Sequence, residues 1–119
     1  MAMLRASVAD LLQRLPGPRT HNWPEGERFT EAFTRGTLVV ELYAPETVDP
    51  QKPHTRDEVY FVVSGSGEFV AGSERARFVA GDALFAAAGV AHRFENFSTD
   101  FVTWVVFYGP EGGEHPEAT

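Results

Sequence analysis

From residue 28 onward the chain is a succession of short β-prone runs, each cut off by glycine or proline, and this punctuation leaves room for little but an all-β fold. "RFTEAFTRG" (28–36) alternates around Phe29 and Phe33, and "TLVVELYA" (37–44) is dense in β-branched and aromatic residues, with Gly36 read as the hairpin turn between them. "PETVDPQKP" (45–53) carries three prolines and reads as a loop. "EVYFVVSGSGEFVAG" (58–72) reads as two strands hinged on Ser64–Gly67. "ARFVAGDALFAAAGVAHRFENFS" (76–98) gives further short strands with Gly81-Asp82 and Gly89 as turns, and "FVTWVVFY" (101–108) a dense last one. Many short strands with close turn signals predict a sandwich or barrel.

One segment departs from this pattern. In "SVADLLQRL" (7–15), Val8, Leu11, Leu12 and Leu15 follow helical spacing, Ser7 is a plausible N-cap, Asp10 a first-turn acid, and Pro16-Gly17-Pro18 ends the run. The 119 residues suit one domain: an N-terminal helix over 7–15, a barrel over 27–108, and a Gly, Pro and Glu rich tail over 109–119 that reads as flexible and disordered.

Composition narrows the function classes. Ten Lys and Arg against 17 Asp and Glu give a formal charge of -7, which repels phosphate backbones, so no nucleic-acid partner is expected. The absence of cysteine rules out disulfides, thiolate metal sites and cysteine nucleophiles. No run reaches about 18 apolar residues, so no membrane span is expected. "MAMLRASVADLLQRLPG" lacks a continuous apolar stretch of the signal-peptide kind, and the expected location is the cytoplasm.

The chemistry concentrates in "KPHTRDEVYFVVSG" (52–65). Read as a strand with period two, Lys52, His54, Arg56, Glu58, Tyr60 and Val62 share one face, while Pro53, Thr55, Asp57, Val59, Phe61 and Val63 share the other. An imidazole and a carboxylate on one side suit a metal ion if a third ligand arrives from elsewhere. His92, in "GDALFAAAGVAHRFEN", is the candidate, on a strand beginning near Ala91 that places His92, Phe94 and Asn96 on one face. Two imidazoles and a carboxylate leave open positions on Fe(II), Mn, Ni, Cu or Zn. Asp57 is the alternative carboxylate but has the wrong parity, and His21 and His115 read as an ordinary surface histidine and an inert one. Tyr60, Phe94, Trp104 and Phe107 read first as core filling, Tyr60 having the best claim to a pocket.

These residues carry a family resemblance. His54, three residues, Glu58, six residues, Gly65 resembles the first cupin motif from its second His onward. Gly81, five residues, Ala87-Ala88-Gly89, two residues, His92, three residues, Asn96 resembles the second. The paired motifs span 52–96, and the family's first His falls on Lys52 and its Pro on Ala87. The resemblance implies a double-stranded β-helix (jelly-roll) barrel, a metal site of His54, Glu58 and His92 holding one divalent transition metal, and a homodimer. It implies a metal-dependent enzyme of oxygenase or isomerase type acting on a small molecule; Lys52, Arg56 and Tyr60, which share the ligand face in the strand reading, are the candidate catalytic or anion-binding groups. The alternatives are a non-catalytic small-molecule binding or sensing module with a reduced metal site, and a structural or storage-like barrel.

Overall fold

A computed structural model describes residues 3–115. It contains one short helix and eight strands: α1 (Val8–Leu12), β1 (Phe29–Arg35), β2 (Leu38–Tyr43), β3 (Asp57–Ser64), β4 (Ser66–Ala71), β5 (Glu74–Val79), β6 (Ala83–Ala86), β7 (His92–Glu95) and β8 (Val102–Tyr108). The strands form a five-stranded sheet in the order β1-β2-β8-β3-β6 and a three-stranded sheet in the order β5-β4-β7. Neighbours pair antiparallel throughout.

Alternation along the strands builds the core between the sheets. Tyr43, Tyr60, Val62, Ala86 and Val105 face inward from the larger sheet and meet Phe69, Phe78 and Phe94 from the smaller one, and Phe101 completes the cluster. Phe94 is the hub, its ring centroid lying 4.7–5.4 Å from those of Tyr60, Phe69, Phe78 and Phe101. On β2, Val39, Glu41 and Tyr43 face the cavity described below. Leu42 alternates to the opposite face and is fully buried there, because α1 packs on β2.

The helix is shorter than the sequence suggests. Ser7 caps it as expected, its Oγ accepting from Asp10 N at 3.2 Å. Its end then tightens through i to i+3 bonds from Arg14 N to Leu11 O and from Leu15 N to Leu12 O, just ahead of Pro16. The glycine hinge at 64–67 is not a hairpin, since β3 and β4 lie in different sheets and the chain turns a corner there. Gly65 sits at φ +86°, and a Cβ would lie 2.6 Å from Phe101 Cα, so only glycine fits the corner.

Residues 109–115, read in the sequence as part of a disordered tail, turn back on the barrel. Gly109 N donates to Thr37 Oγ1, Gly112 N to Thr55 O at 2.7 Å and Glu114 N to Asp57 Oδ2 at 2.9 Å. Residues 116–119 of that tail lie outside the described residues.

Candidate metal centre and its cavity

Strand β3 starts at Asp57, so only Glu58, Tyr60 and Val62 follow the period-two reading; residues 52–56 belong to the preceding loop. His54 reaches Glu58 through a bend at 55–56 rather than along a strand face. The register sets the rest. Glu58 pairs with Ala86 on β6 and Phe107 on β8, and His92 pairs with Ala71 on β4. Carboxylate and imidazole thus project toward each other from facing sheets at the open end of the barrel. Gly89 N donates to His54 O at 2.8 Å, tying the turn before β7 to the loop that carries His54.

The donor atoms of His54, Glu58 and His92 all lie within 4.8 Å of one another. Glu58 Oε1 is 2.8 Å from His54 Nδ1 and 2.6 Å from His92 Nε2. Glu58 and His92 are 1% and 4% exposed, while the His54 side chain, at 36%, forms the accessible side of the cluster. His92 Nδ1 lies 2.8 Å from Val90 O, which fixes the ring with Nδ1–H donating and Nε2 turned to the cluster. Nε2 approaches Glu58 Oε1 at 2.6 Å, and His92 Nε2 and Glu58 Oε2 are both buried with no hydrogen-bond partner among the described residues. Burial pushes the Glu58 carboxyl up, but His54 and His92 outweigh it and hold it below the usual range. Burial pushes His92 down, but Glu58 and the Val90 carbonyl outweigh that and hold it above. With His92 neutral, its Nε2 and Glu58 Oε2 are buried electron-pair donors that lack a hydrogen-bond partner among the described residues, which a cation satisfies, so the donor set fits a divalent transition metal.

The cluster forms part of the wall of a cavity of about 570 Å³, a size suited to a small molecule. Trp23, Phe29, Tyr43, Val105 and Phe107 give it apolar walls, and Phe107 packs edge-on against His54 at 4.9 Å. Lys52, Arg56 and Tyr60 all line it, with different fates. The Arg56 guanidinium donates to Thr37 O and not to Glu58. Lys52 is exposed on the loop and makes no hydrogen bond or ion pair among the described residues. Tyr60 is fully buried and donates to Gln51 Oε1 at 3.1 Å. Burial, with the charge of Glu58 adding to it, drives its phenol far above the usual range, so Tyr60 donates a hydrogen bond and does not serve as a base near neutral pH.

Asp57 is excluded as a ligand: its Oδ1 accepts from Ala88 N and its Oδ2 from Glu114 N, on the side away from the cluster. His21 and His115 are exposed and outside the cluster. Asn96 lies beyond the end of β7, exposed at φ +51°, and donates to Glu68 Oε1 rather than sharing the His92 face. Ala87, where the motif has proline, still accepts the turn bond from Val90 N.

Sequence reasoning missed two features. Asp49 braces the loop that carries Lys52 and His54: its Oδ2 accepts from Phe94 N at 2.8 Å and Gln51 Nε2 at 2.6 Å, and its Oδ1 from Tyr43 OH. Nothing periodic in "PETVDPQKP" marks that residue. Glu41 is a carboxylate on the inner face of β2, and here a signal existed, since it alternates in phase with Val39 and Tyr43 in "LVVELY".

With this geometry in place, the family can be assigned. Residues 39–108 match the Cupin domain family. The chain is a cupin. An uncharacterized protein of Streptomyces coelicolor, SCO3923, is 47% identical over 76 residues, 62% of this cupin and 72% of its own length. Among solved structures, TT1209 from Thermus thermophilus is 26% identical with a TM-score of 0.64, over 89% of this chain and 97% of its own. A double-stranded β-helix protein from Klebsiella pneumoniae is 18% identical with a TM-score of 0.65, over 90% of each chain, a likeness of fold alone. The two sheets are therefore a cupin double-stranded β-helix, as the motifs imply. No helix among the described residues is long and apolar enough to cross a membrane.

Proposed function

We propose that this cupin is a metal-dependent enzyme acting on a small molecule in its barrel cavity, with His54, Glu58 and His92 as the metal ligands and oxygenase-type or isomerase-type chemistry at the ion. The observation that carries this is the cluster itself: three donors within 4.8 Å, two of whose buried atoms have no hydrogen-bond partner, opening onto the 570 Å³ cavity. A divalent transition metal bound there supplies a Lewis acid for a substrate oxygen or a centre for oxygen activation. The protein's part is positional. The Val90 carbonyl orients His92, Asp49 holds the loop of His54, and Phe107 packs edge-on against the His54 ring. Lys52, free on the rim, is placed to meet an anionic group of the substrate.

One observation favours a second reading, a binding or sensing module. Lys52 occupies the place of the first motif histidine, so the ligand set has three donors where the full motif offers four. Elemental analysis of untagged protein purified anaerobically, alongside His54→Ala and His92→Ala, separates the two. Near one transition metal per chain in the wild type, lost in both variants, supports the enzyme reading, and the metal's identity narrows the reaction. Wild-type protein that is metal-free and cannot be loaded sinks it and leaves the binding module. We further propose a homodimer, which the apolar outer surface of the larger sheet supports: Phe61 is 48% and Phe85 52% exposed.

A further inference from the structure

Glu41 is the one acidic residue on the strands of the cavity wall that no sequence motif and no metal ligand set accounts for. It stands on β2 opposite Val105 of β8, which stands opposite Tyr60 of β3, so the three form one row across the inner face. Glu58 lies one inward position along β3. Two strand spacings of about 4.8 Å put Glu41 roughly 10 Å across the sheet from β3, a span that a single small molecule bridges. Glu41 makes no hydrogen bond or ion pair among the described residues. Burial pushes its carboxyl up to about 7; His54 opposes the rise, and Glu31, Glu58 and Glu27 add to it. The carboxylate is therefore unpaired and, chiefly because it is buried, costly to ionise without a cation beside it.

The neighbouring walls are aromatic. Tyr43 shares the inner face of β2 with Glu41, Phe29 pairs with Tyr43 from β1, and Trp23 packs edge-on against both rings at 6.1 and 6.0 Å. All three line the cavity. Among the described residues, Arg56 is spent on the Thr37 carbonyl, Arg28 on the Ala44 carbonyl and Glu46, and Lys52 is exposed on the rim. A positively charged group gains both charge attraction to the carboxylate and cation–π contact with the rings, whereas a neutral donor gains only a hydrogen bond and an anion is repelled.

From this arrangement we infer that Glu41 anchors a cationic group, an ammonium or quaternary ammonium, of the small molecule that this cavity takes. The substrate class is then a small molecule with an amine-derived cation at the Glu41 end and an oxygen donor at the His54–Glu58–His92 end. The inference rests on the reading of the cavity as a substrate site.

Tetramethylammonium is the probe and trimethylacetate its anionic counterpart of similar shape. Calorimetric titration at pH 8.5, where Glu41 is ionised, compares wild type, Glu41→Gln and Lys52→Gln, each with its metal content measured. Tetramethylammonium should bind the wild type saturably and bind Glu41→Gln at least tenfold more weakly; trimethylacetate should gain nothing from Glu41 and lose affinity in Lys52→Gln. Equal binding to wild type and Glu41→Gln, or no saturable binding to the wild type, overturns the inference. Metal-loaded protein that fails this test leaves the enzyme reading intact. Metal-free, unloadable protein that passes it keeps Glu41 as the cation anchor and sinks the enzyme reading instead.

Discussion

Among single residues, the environment of Glu41 has a consequence for stability. Its carboxyl is held at about 7 against an ordinary 4.5, so between those values the folded chain keeps a proton that the unfolded chain has lost. A raised folded pKa means a contribution fully present below pH 4.5 and lost as pH rises through about 7. Full conversion of that shift gives about 3 kcal/mol, which water in the cavity reduces to roughly 1–2 kcal/mol. Glu41→Gln should therefore be more stable than wild type by roughly 1–2 kcal/mol at pH 8, with the difference closing toward pH 4.5. Urea unfolding of both proteins across that range checks it, and a constant difference at all pH values would place the effect elsewhere.

The strands and turns show how much of this molecule is readable from its sequence. Turn glycines and alternation locate β1 to β4 and β8 and mark further short strands over 76–98, because both reflect local backbone and burial preferences. The same alternation aligns Glu58 with Tyr60, and motif spacing supplies His92. It misplaces His54, Arg56 and Lys52, because they precede the strand and their directions depend on a loop braced by Asp49, whose bond to Phe94 spans 45 residues of chain. The corner at Gly65 is also long-range: the local pattern "SGSG" suits a hairpin as well as a change of sheet, and the close approach of the Phe101 backbone to Gly65 comes from a distant part of the chain. Gly65→Ala should cost about 2–4 kcal/mol, from the left-handed φ and the clash together, measurable as a shift in chemical denaturation midpoint. Gly36→Ala, with positive φ but nothing within 4 Å of its Cβ, should cost only about 1 kcal/mol.

The whole molecule has two large surfaces of different character. The smaller sheet carries charge: Arg75 bridges Glu68 and Glu95, and Arg93 pairs with Glu95. The larger sheet turns Phe61, Val63 and Phe85 outward, with Phe61 paired to Trp104 of β8. Burying aromatic surface of this kind drives association, so light scattering should give the mass of a dimer, and Phe61→Glu with Phe85→Glu that of a monomer. A wild-type monomer at all concentrations would remove the dimer.

The return of residues 109–115 onto Thr55 and Asp57 places Glu111 in the cavity wall. The 109–115 segment and the entrance to the site are thus one piece of structure. An occupant that touches Glu111 should hold that segment against the barrel, so an endoprotease should cut within 109–115 more slowly when the cavity is filled. Slowed cleavage there then becomes a substrate screen that requires no knowledge of the reaction: candidate molecules are ranked by how long the segment survives.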